Sequence, residues 1–339
     1  MKTILITGAS GYIGSHISLK LLENNFQIVA IDNLSNSNKK SLSRVTDIIG
    51  KKINFYHVDI RDKQRLRQIF EKYKIDLVLH LAGLKSVASS IINPIEYYDN
   101  NVLGSIILFE LMQEFGINKI VFSSSATVYG DKNILPIKED QNHFKPLNPY
   151  GKSKKIVEDL LGDIFESDKS WSTMCLRYFN PVGAHESGMI GEDLNFDATN
   201  LLPIISKVAL GKIKNLKIYG NDYKTKDGTG VRDYIHIDDL ANGHILAINK
   251  CLNSSGHWAI NLGTGNGYSV FEVLKSFEVT TGIKIPYEIV SRREGDIETS
   301  YTDPSFARLI LNWEAKKSLD DMCSDAWRWY SLNPNGFND

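Results

Sequence analysis

The 339-residue chain carries 39 basic and 40 acidic side chains and a formal net charge of −1, so no global field recruits nucleic acid or an anionic membrane. Hydrophobic residues at 42% and charged residues at 23% suit a soluble globular protein with room for about two domains. Cys175, Cys251 and Cys323 are scattered, with no C-x-x-C pair and no metal-ligand spacing to the eight histidines, which disfavours a disulfide framework or a metal centre.

The chain enters "TILIT" (3–7) directly, with no signal-peptide pattern, and no run approaches the roughly 20 apolar residues of a membrane span. The expected compartment is the cytoplasm. Short apolar runs at 3–7, 27–31, 53–58, 76–81 and 119–124 predict strands, and 13–24, 62–73 and 95–115 predict helices between them. A helix from Pro149 and a strand over 172–179 continue the pattern. Such alternation implies right-handed crossovers and an α/β fold with a doubly wound parallel sheet. After residue 180, long polar segments rich in Gly, Asp and Asn predict ordered binding loops. Residues 1–180 form the expected nucleotide-binding domain, to which 236–265 returns. Residues 181–235 and 266–339 form a smaller α/β substrate domain.

"TGASGYIGSH" follows the first strand and opens the first helix, with Gly8, Gly11 and Gly14 in G-x-x-G-x-x-G spacing. Glycine there permits a sharp turn and close backbone approach to a pyrophosphate resting on the helix N-terminus. Glycine turns alone are common; the position at the first strand–helix junction makes this one specific. Asp32 ends the second strand, where its carboxylate can accept ribose hydroxyls and repel an additional phosphate, which favours NAD over NADP. By itself Asp32 reads equally as a turn residue. In "HLAGLKSV", small Ala82 and Gly83 allow close approach to a cofactor, and Lys85 reads either as a phosphate or nicotinamide neighbour or as a solvated lysine.

In "NPYGKSKK", Asn148 is an N-cap residue and Pro149 suits the first helical position. Tyr150 and Lys154 are then i and i+4 on one helix face. Chance produces a few such pairs in any chain this rich in tyrosine and basic residues. The serines Ser123, Ser124 and Ser125, ending the fifth strand, would ordinarily be turn chemistry. Together with Tyr150 and Lys154 they make an acid–base group at one sheet edge.

The phrases "TGASGYIGSH", "YYDNNVLG", "FSSSATVYG", "NPYGKSK", "LRYFNPVGAH", "YGNDYKTKDGTGVRDYIH" and "RREGD" span nearly the whole chain. Together they resemble the extended short-chain dehydrogenase/reductase family with its Rossmann domain, and within it the UDP-glucose (UDP-galactose) 4-epimerase family. The resemblance implies Tyr150 as base, Ser125 as its hydrogen-bonding partner and Lys154 as the ribose-binding cation that tunes the phenol. A free phenol is only about 0.1% ionised at neutral pH, and lowering its pKa by roughly 3 units takes about 4 kcal/mol. The implied reaction abstracts the 4-hydroxyl proton as hydride leaves C4 for NAD, turns the 4-keto sugar over and returns hydride to its other face.

The same resemblance implies further cofactor residues: Tyr12, Ile13, Asn33, Ser35, Asn36, Ser37, Asp59, Ile60, Leu81, Asn100 and Phe179. For a UDP-sugar it implies Tyr178, Asn180, Asn200, Leu201, Lys217, Tyr219, Arg232, Arg293 and Asp296, with Lys85, Ser125 and Tyr150 shared. Tyr219 would stack on uracil and the arginines would hold the diphosphate. Without the resemblance, Tyr219 reads as core and the arginines as surface ion-pair partners. A homodimer built by helices around 95–115 and 150–166 is implied as well. The rival nucleotide-sugar 4,6-dehydratases carry Asp and Glu where this chain has Ala126 and Thr127, which cannot perform their elimination. A non-catalytic NAD-binding regulator is disfavoured by the retained Ser125, Tyr150 and Lys154. At Ser300, epimerases restricted to unsubstituted hexoses typically carry Tyr, so a smaller residue implies acceptance of UDP-N-acetylhexosamines. The adjacent Tyr301 would restore the block if the backbone slipped by one residue.

Overall fold

The computed structural model describes residues 1–131, 133–141, 144–195, 200–293 and 295–338. Positions 196–199 of the predicted binding loop and Glu294 of "RREGD" lie outside the described residues. The predicted alternation is present as β1 (Thr3–Thr7), α1 (Tyr12–Glu23), β2 (Gln27–Asp32), α2 (Lys40–Ile49), β3 (Asn54–His57), α3 (Lys63–Lys72) and β4 (Leu77–His80). It continues with α4 (Val87–Ile92), α5 (Pro94–Tyr97), α6 (Gly104–Glu114), β5 (Lys119–Ser125), α7 (Pro149–Ser167) and β6 (Ser172–Tyr178). The expected continuous helix over 95–115 is instead α5, a π-helical turn (Tyr98–Leu103) and α6. The turn's wider backbone brings Asn100 and Asn101 inward. The sequence pattern also missed α2, whose mean composition is polar although it buries Leu42 and Val45.

The second half runs β7 (Asn180–Val182), α8 (Leu201–Ala209), β8 (Leu216–Tyr219), β9 (Val231–His236), α9 (Ile237–Asn253) and β10 (Gly256–Leu262). After it come β11 (Gly267–Ser269), α10 (Val270–Thr281), β12 (Tyr287–Val290), β13 (Thr299–Ser300), α11 (Ser305–Leu311) and α12 (Leu319–Leu332). Seven strands form the main sheet in the order β10-β6-β5-β4-β1-β2-β3, parallel at every pairing. Its apolar faces are both covered, one by α1, α2, α9 and α11 and the other by α3, α6 and α7. A separate core joins α8, α10 and α12 to β7, β8 and β9.

Strand order reverses between β1 and β4, and a crevice opens there at the carboxyl ends of the strands. Gly8, at φ +71°, sits so close to the β4 loop that a Cβ would lie 2.7 Å from the Ala82 nitrogen. This contact closes the floor of the crevice. α7 begins as its sequence predicts: Asn148 accepts a hydrogen bond from the Gly151 N–H at 2.9 Å, with Pro149 in the first turn. It places Tyr150 and Lys154 at the same edge.

Candidate active site

The glycine turn is shaped from both sides. A Cβ on Gly14 would fall 2.3 Å from the Gly8 carbonyl, whereas one on Gly11 would meet only that carbonyl, at 3.4 Å. The first turn of α1 has no side-chain cap, and the buried Ser10 hydroxyl has no protein partner. Backbone donors therefore face the crevice as a diphosphate cradle would require. The Asp32 carboxylate accepts from Ser10 N, Leu34 N and the Ser37 hydroxyl at 2.8–2.9 Å, which ties the end of β2 to the glycine turn. Leu34 holds φ +57°, an uncommon conformation for a bulky residue. Ser35 and Asn36 are exposed at that rim, while Asn33 bonds Asp59 at 2.8 Å.

Asp59 is also held by three donors of Arg61, which pull its carboxyl far below the usual range. What that corner offers a ligand is backbone and the buried Ile60. On the other side of the crevice, Leu81 and Gly83 are half-buried and Asn101 stitches the loop down. Its carboxamide accepts from Leu84 N at 2.8 Å and Asn100 Nδ2 at 2.9 Å, and donates to Leu84 O and the Ser153 hydroxyl. The sequence reading missed Asn101, although it lies in the quoted "YYDNNVLG". Tyr12 donates to the Gly183 carbonyl at 2.7 Å, and half-buried Ile13 follows it.

Ser125 ends β5 and Tyr150 stands in the first turn of α7, and the Ser125 side chain acts on the phenol in the direction that favours its ionised form. The Thr127 N–H donates to the Ser125 oxygen at 3.2 Å and the Thr127 hydroxyl lies 3.0 Å from it. Tyr150 is partly open to the crevice, yet burial of its surroundings pushes the phenol up, opposed by Ser125 and the field of Lys85. Lys154 stands one turn further along α7. Its ammonium donates to the Ser123 carbonyl at 2.7 Å, lies 4.8 Å over the Phe122 ring, and approaches the Gly83 backbone. Burial pushes it down to about 8, against the opposing charge of Glu158.

Tyr178, read as a sugar contact, is buried beneath the site with its hydroxyl 2.5 Å from His244 Nε2. Phe179 is buried with Tyr129 and Ile137. Lys85 pairs with Glu192 at 2.9 Å across the crevice, a partner no local pattern signals.

The second half supplies a more exposed wall. Lys217 and Tyr219 alternate onto the exposed face of β8, and Arg293 lies 4.1 Å over the Tyr219 ring. Arg232 pairs with Asp296, and β13 sets Ser300 beside Arg232. Asn180 is in β7, and Asn200 and Leu201 open α8. Among the described residues there is no metal-ligand cluster.

A parallel sheet with a glycine turn at its switch point and a Ser–Tyr–Lys group beside it defines a dinucleotide-dependent α/β protein of short-chain dehydrogenase type. The family model described as GDP-mannose 4,6 dehydratase matches residues 5–326. The UDP-glucose 4-epimerase of Bacillus subtilis is 51% identical, over 98% of both chains. The solved Stenotrophomonas maltophila epimerase, with bound NAD and formylated UDP-arabinopyranose, superposes with a TM-score of 0.96 at 43% identity, covering 98% of this chain and 99% of that one. The Bifidobacterium longum epimerase, with NAD+ and UDP, gives 0.95 at 46% identity over 99% and 100%. The chain belongs to the UDP-glucose 4-epimerase family.

The buried ammonium has a thermodynamic signature. Below about pH 8 Lys154 is charged both folded and unfolded, so the nucleotide-free fold carries its full desolvation cost. As pH rises toward the ordinary lysine range the unfolded chain holds the proton longer than the folded one, and the cost fades. Lys154→Met should therefore stabilise the nucleotide-free protein by about 3 kcal/mol more at pH 7 than near pH 10.5. Urea titrations at the two pH values check this; an equal effect at both contradicts it.

Proposed function

We propose that the protein is a UDP-hexose 4-epimerase that interconverts UDP-glucose and UDP-galactose with a resident NAD. The carrying observation is the placement of Ser125 at the end of β5 and Tyr150 in the first turn of α7, both at the carboxyl edge of the sheet beside the glycine turn. NAD, when bound, supplies a hydride acceptor and donor for C4 of the sugar and a positively charged ring near the phenol. Its diphosphate is assigned to the uncapped N-terminus of α1, its adenosine ribose to Asp32, and its other ribose to Tyr150 and Lys154.

Tyr150 takes the 4-hydroxyl proton and returns it from the same oxygen, so one base serves both directions. Ser125 donates to that oxygen when it is ionised. The field of Lys85 favours the phenolate, against the burial that disfavours it, and Lys154, one helical turn from Tyr150, is assigned an influence of the same sign. Tyr219 is the uracil platform, with Arg232 and Arg293 on the diphosphate. Ala126 and Thr127 have no carboxyl to eliminate water, which sets the dehydratase reading aside. Tyr150→Phe should bind NAD and fold normally while losing at least about 100-fold in turnover, the usual range for acid–base groups. Near wild-type turnover across pH would remove Tyr150 from this role.

Acceptance of N-acetylated sugars is part of the same reading. Ser300 is small and buried next to Arg232. Tyr301 gives its carbonyl to Ile137 N at 2.9 Å and its ring lies against Gly267, which supports Ser300 as the residue facing the sugar. Ser300→Tyr should suppress epimerisation of UDP-N-acetylglucosamine and spare UDP-glucose. Equal activity of both proteins on the acetamido sugar would sink the size argument.

The homodimer is proposed from apolar exposure. Ile91, Ile92 and Ile95 are 63%, 77% and 83% exposed on α4 and α5, continuing to Leu103 and Ile106 and to Ile156 on α7. A second copy would cover this face. Ile95→Asp should shift the solution mass from dimer to monomer by light scattering; a monomeric wild type would contradict the assignment. The cytoplasm is the proposed compartment, supported by three buried free cysteines and by no described helix being long and apolar enough to cross a membrane.

A further inference from the structure

Glu158 has no part in the chemistry just described, and its position on α7 gives it one. It stands four residues after Lys154 and eight after Tyr150, on the same helix face. Its carboxylate is buried and takes both Nε and NH2 of Arg177 at 2.9 and 2.8 Å, and the Ser124 hydroxyl at 2.5 Å. Three consecutive serines of β5 thus meet three residues of α7: Ser125 meets Tyr150, the Ser123 carbonyl meets Lys154, and Ser124 meets Glu158.

Arg177 is itself fixed. Its remaining nitrogen donates to the Tyr129 hydroxyl at 2.9 Å, and Tyr129 donates to Asn261 on β10 at 2.6 Å. Asn261 donates to the Ile137 carbonyl, which also takes Asp303 N and the Thr302 hydroxyl. The Glu158 charge is thereby held at one depth beneath Lys154.

We propose that Glu158 is a positioning residue: its bidentate pair with Arg177 sets the seating of α7 on β5 and β6 and keeps a compensating negative charge below Lys154. The groups facing Lys154 leave Glu158 as the anion available for this. From β5 come the Ser123 carbonyl and the Phe122 ring, and from the β4 loop the Gly83 backbone. β4 contributes His80, which burial pushes down to about 3 and so keeps neutral. β6 contributes Arg177 and the Cys175 thiol, pushed up by burial, and α7 contributes Tyr150. Removing the Glu158 charge removes the anion that opposes burial at the Lys154 ammonium, whose cationic form is needed to hold ribose and favour the phenolate.

The inference rests on the epimerase reading, and its test uses two readouts. The basic limb of kcat/KM for UDP-galactose is followed on the full NAD-loaded chain, and NAD affinity of the stripped chain is followed over the same pH range. Glu158→Gln should move both basic limbs down by about one pH unit. Glu158→Asp, which keeps the charge, should leave them within a few tenths of wild type even where turnover falls. Tyr129→Phe, which weakens the network without altering charge, should lower stability and move neither limb. If Glu158→Gln fails to fold, the double variant Glu158→Leu/Arg177→Met removes both buried charges and should move the limbs down by less, because the opposing field of Arg177 is lost with the anion. Unmoved limbs in the charge-removing variant, or an equal shift in Tyr129→Phe, overturn the proposal. A wild type without turnover would refute the epimerase reading, while the NAD-affinity profiles would still judge Glu158.

Discussion

The seam between the end of β5 and the start of α7 is the constraint on which the rest of the site depends. A parallel strand and its crossover helix run antiparallel to each other, so the first turns of α7 pass the last residues of β5. Three successive contacts, each to a different serine, fix how far the helix is rotated and how deep it lies. A phenol must stand within hydrogen-bond reach of the proton it takes, so this seating decides whether the chemistry is available. Burial works against both charged forms here, raising the phenol and lowering the ammonium. The nearby cations, Ser125 and Glu158 are what oppose it.

The two walls of the crevice are built differently. The cofactor wall is built of internal contacts: Gly8 lies against Ala82, Asp32 is bonded to Ser10, and Asn101 is bonded to the β4 loop. The nucleotide-sugar wall is more exposed and paired with itself, Arg232 on Asp296 and Arg293 over Tyr219. A cofactor held tightly and a substrate that comes and goes suit such a division.

Much of this was legible in the sequence because it is local. The strand runs, the glycine turn, Asp32 at the end of β2 and the Asn148 cap are patterns within ten residues of one another. Where the pattern misled, distant partners were responsible. The i,i+4 spacing set Lys154 one turn from Tyr150 but gave no sign of the Ser123 carbonyl and Phe122 ring that hold its ammonium. The pairing of Glu158 with Arg177 left no local signal because it spans 19 residues and two elements. Lys85 and Glu192 are 107 residues apart. The helix over 95–115 showed no sign of its π-helical turn, whose Asn101 is satisfied by the β4 loop, Asn100 and Ser153. Tyr178 sat in a phrase shared with sugar contacts, yet the register of β6 turns its hydroxyl to His244.

The most direct measurement of the central claim is to incubate the purified full chain with UDP-galactose, with no nicotinamide nucleotide added, and follow the anomeric protons by NMR. An epimerase with a resident cofactor should generate UDP-glucose until a fixed mixture is reached, and starting from UDP-glucose should give the same mixture. Failure to interconvert the two, or one-way formation of a dehydrated sugar, would contradict the account.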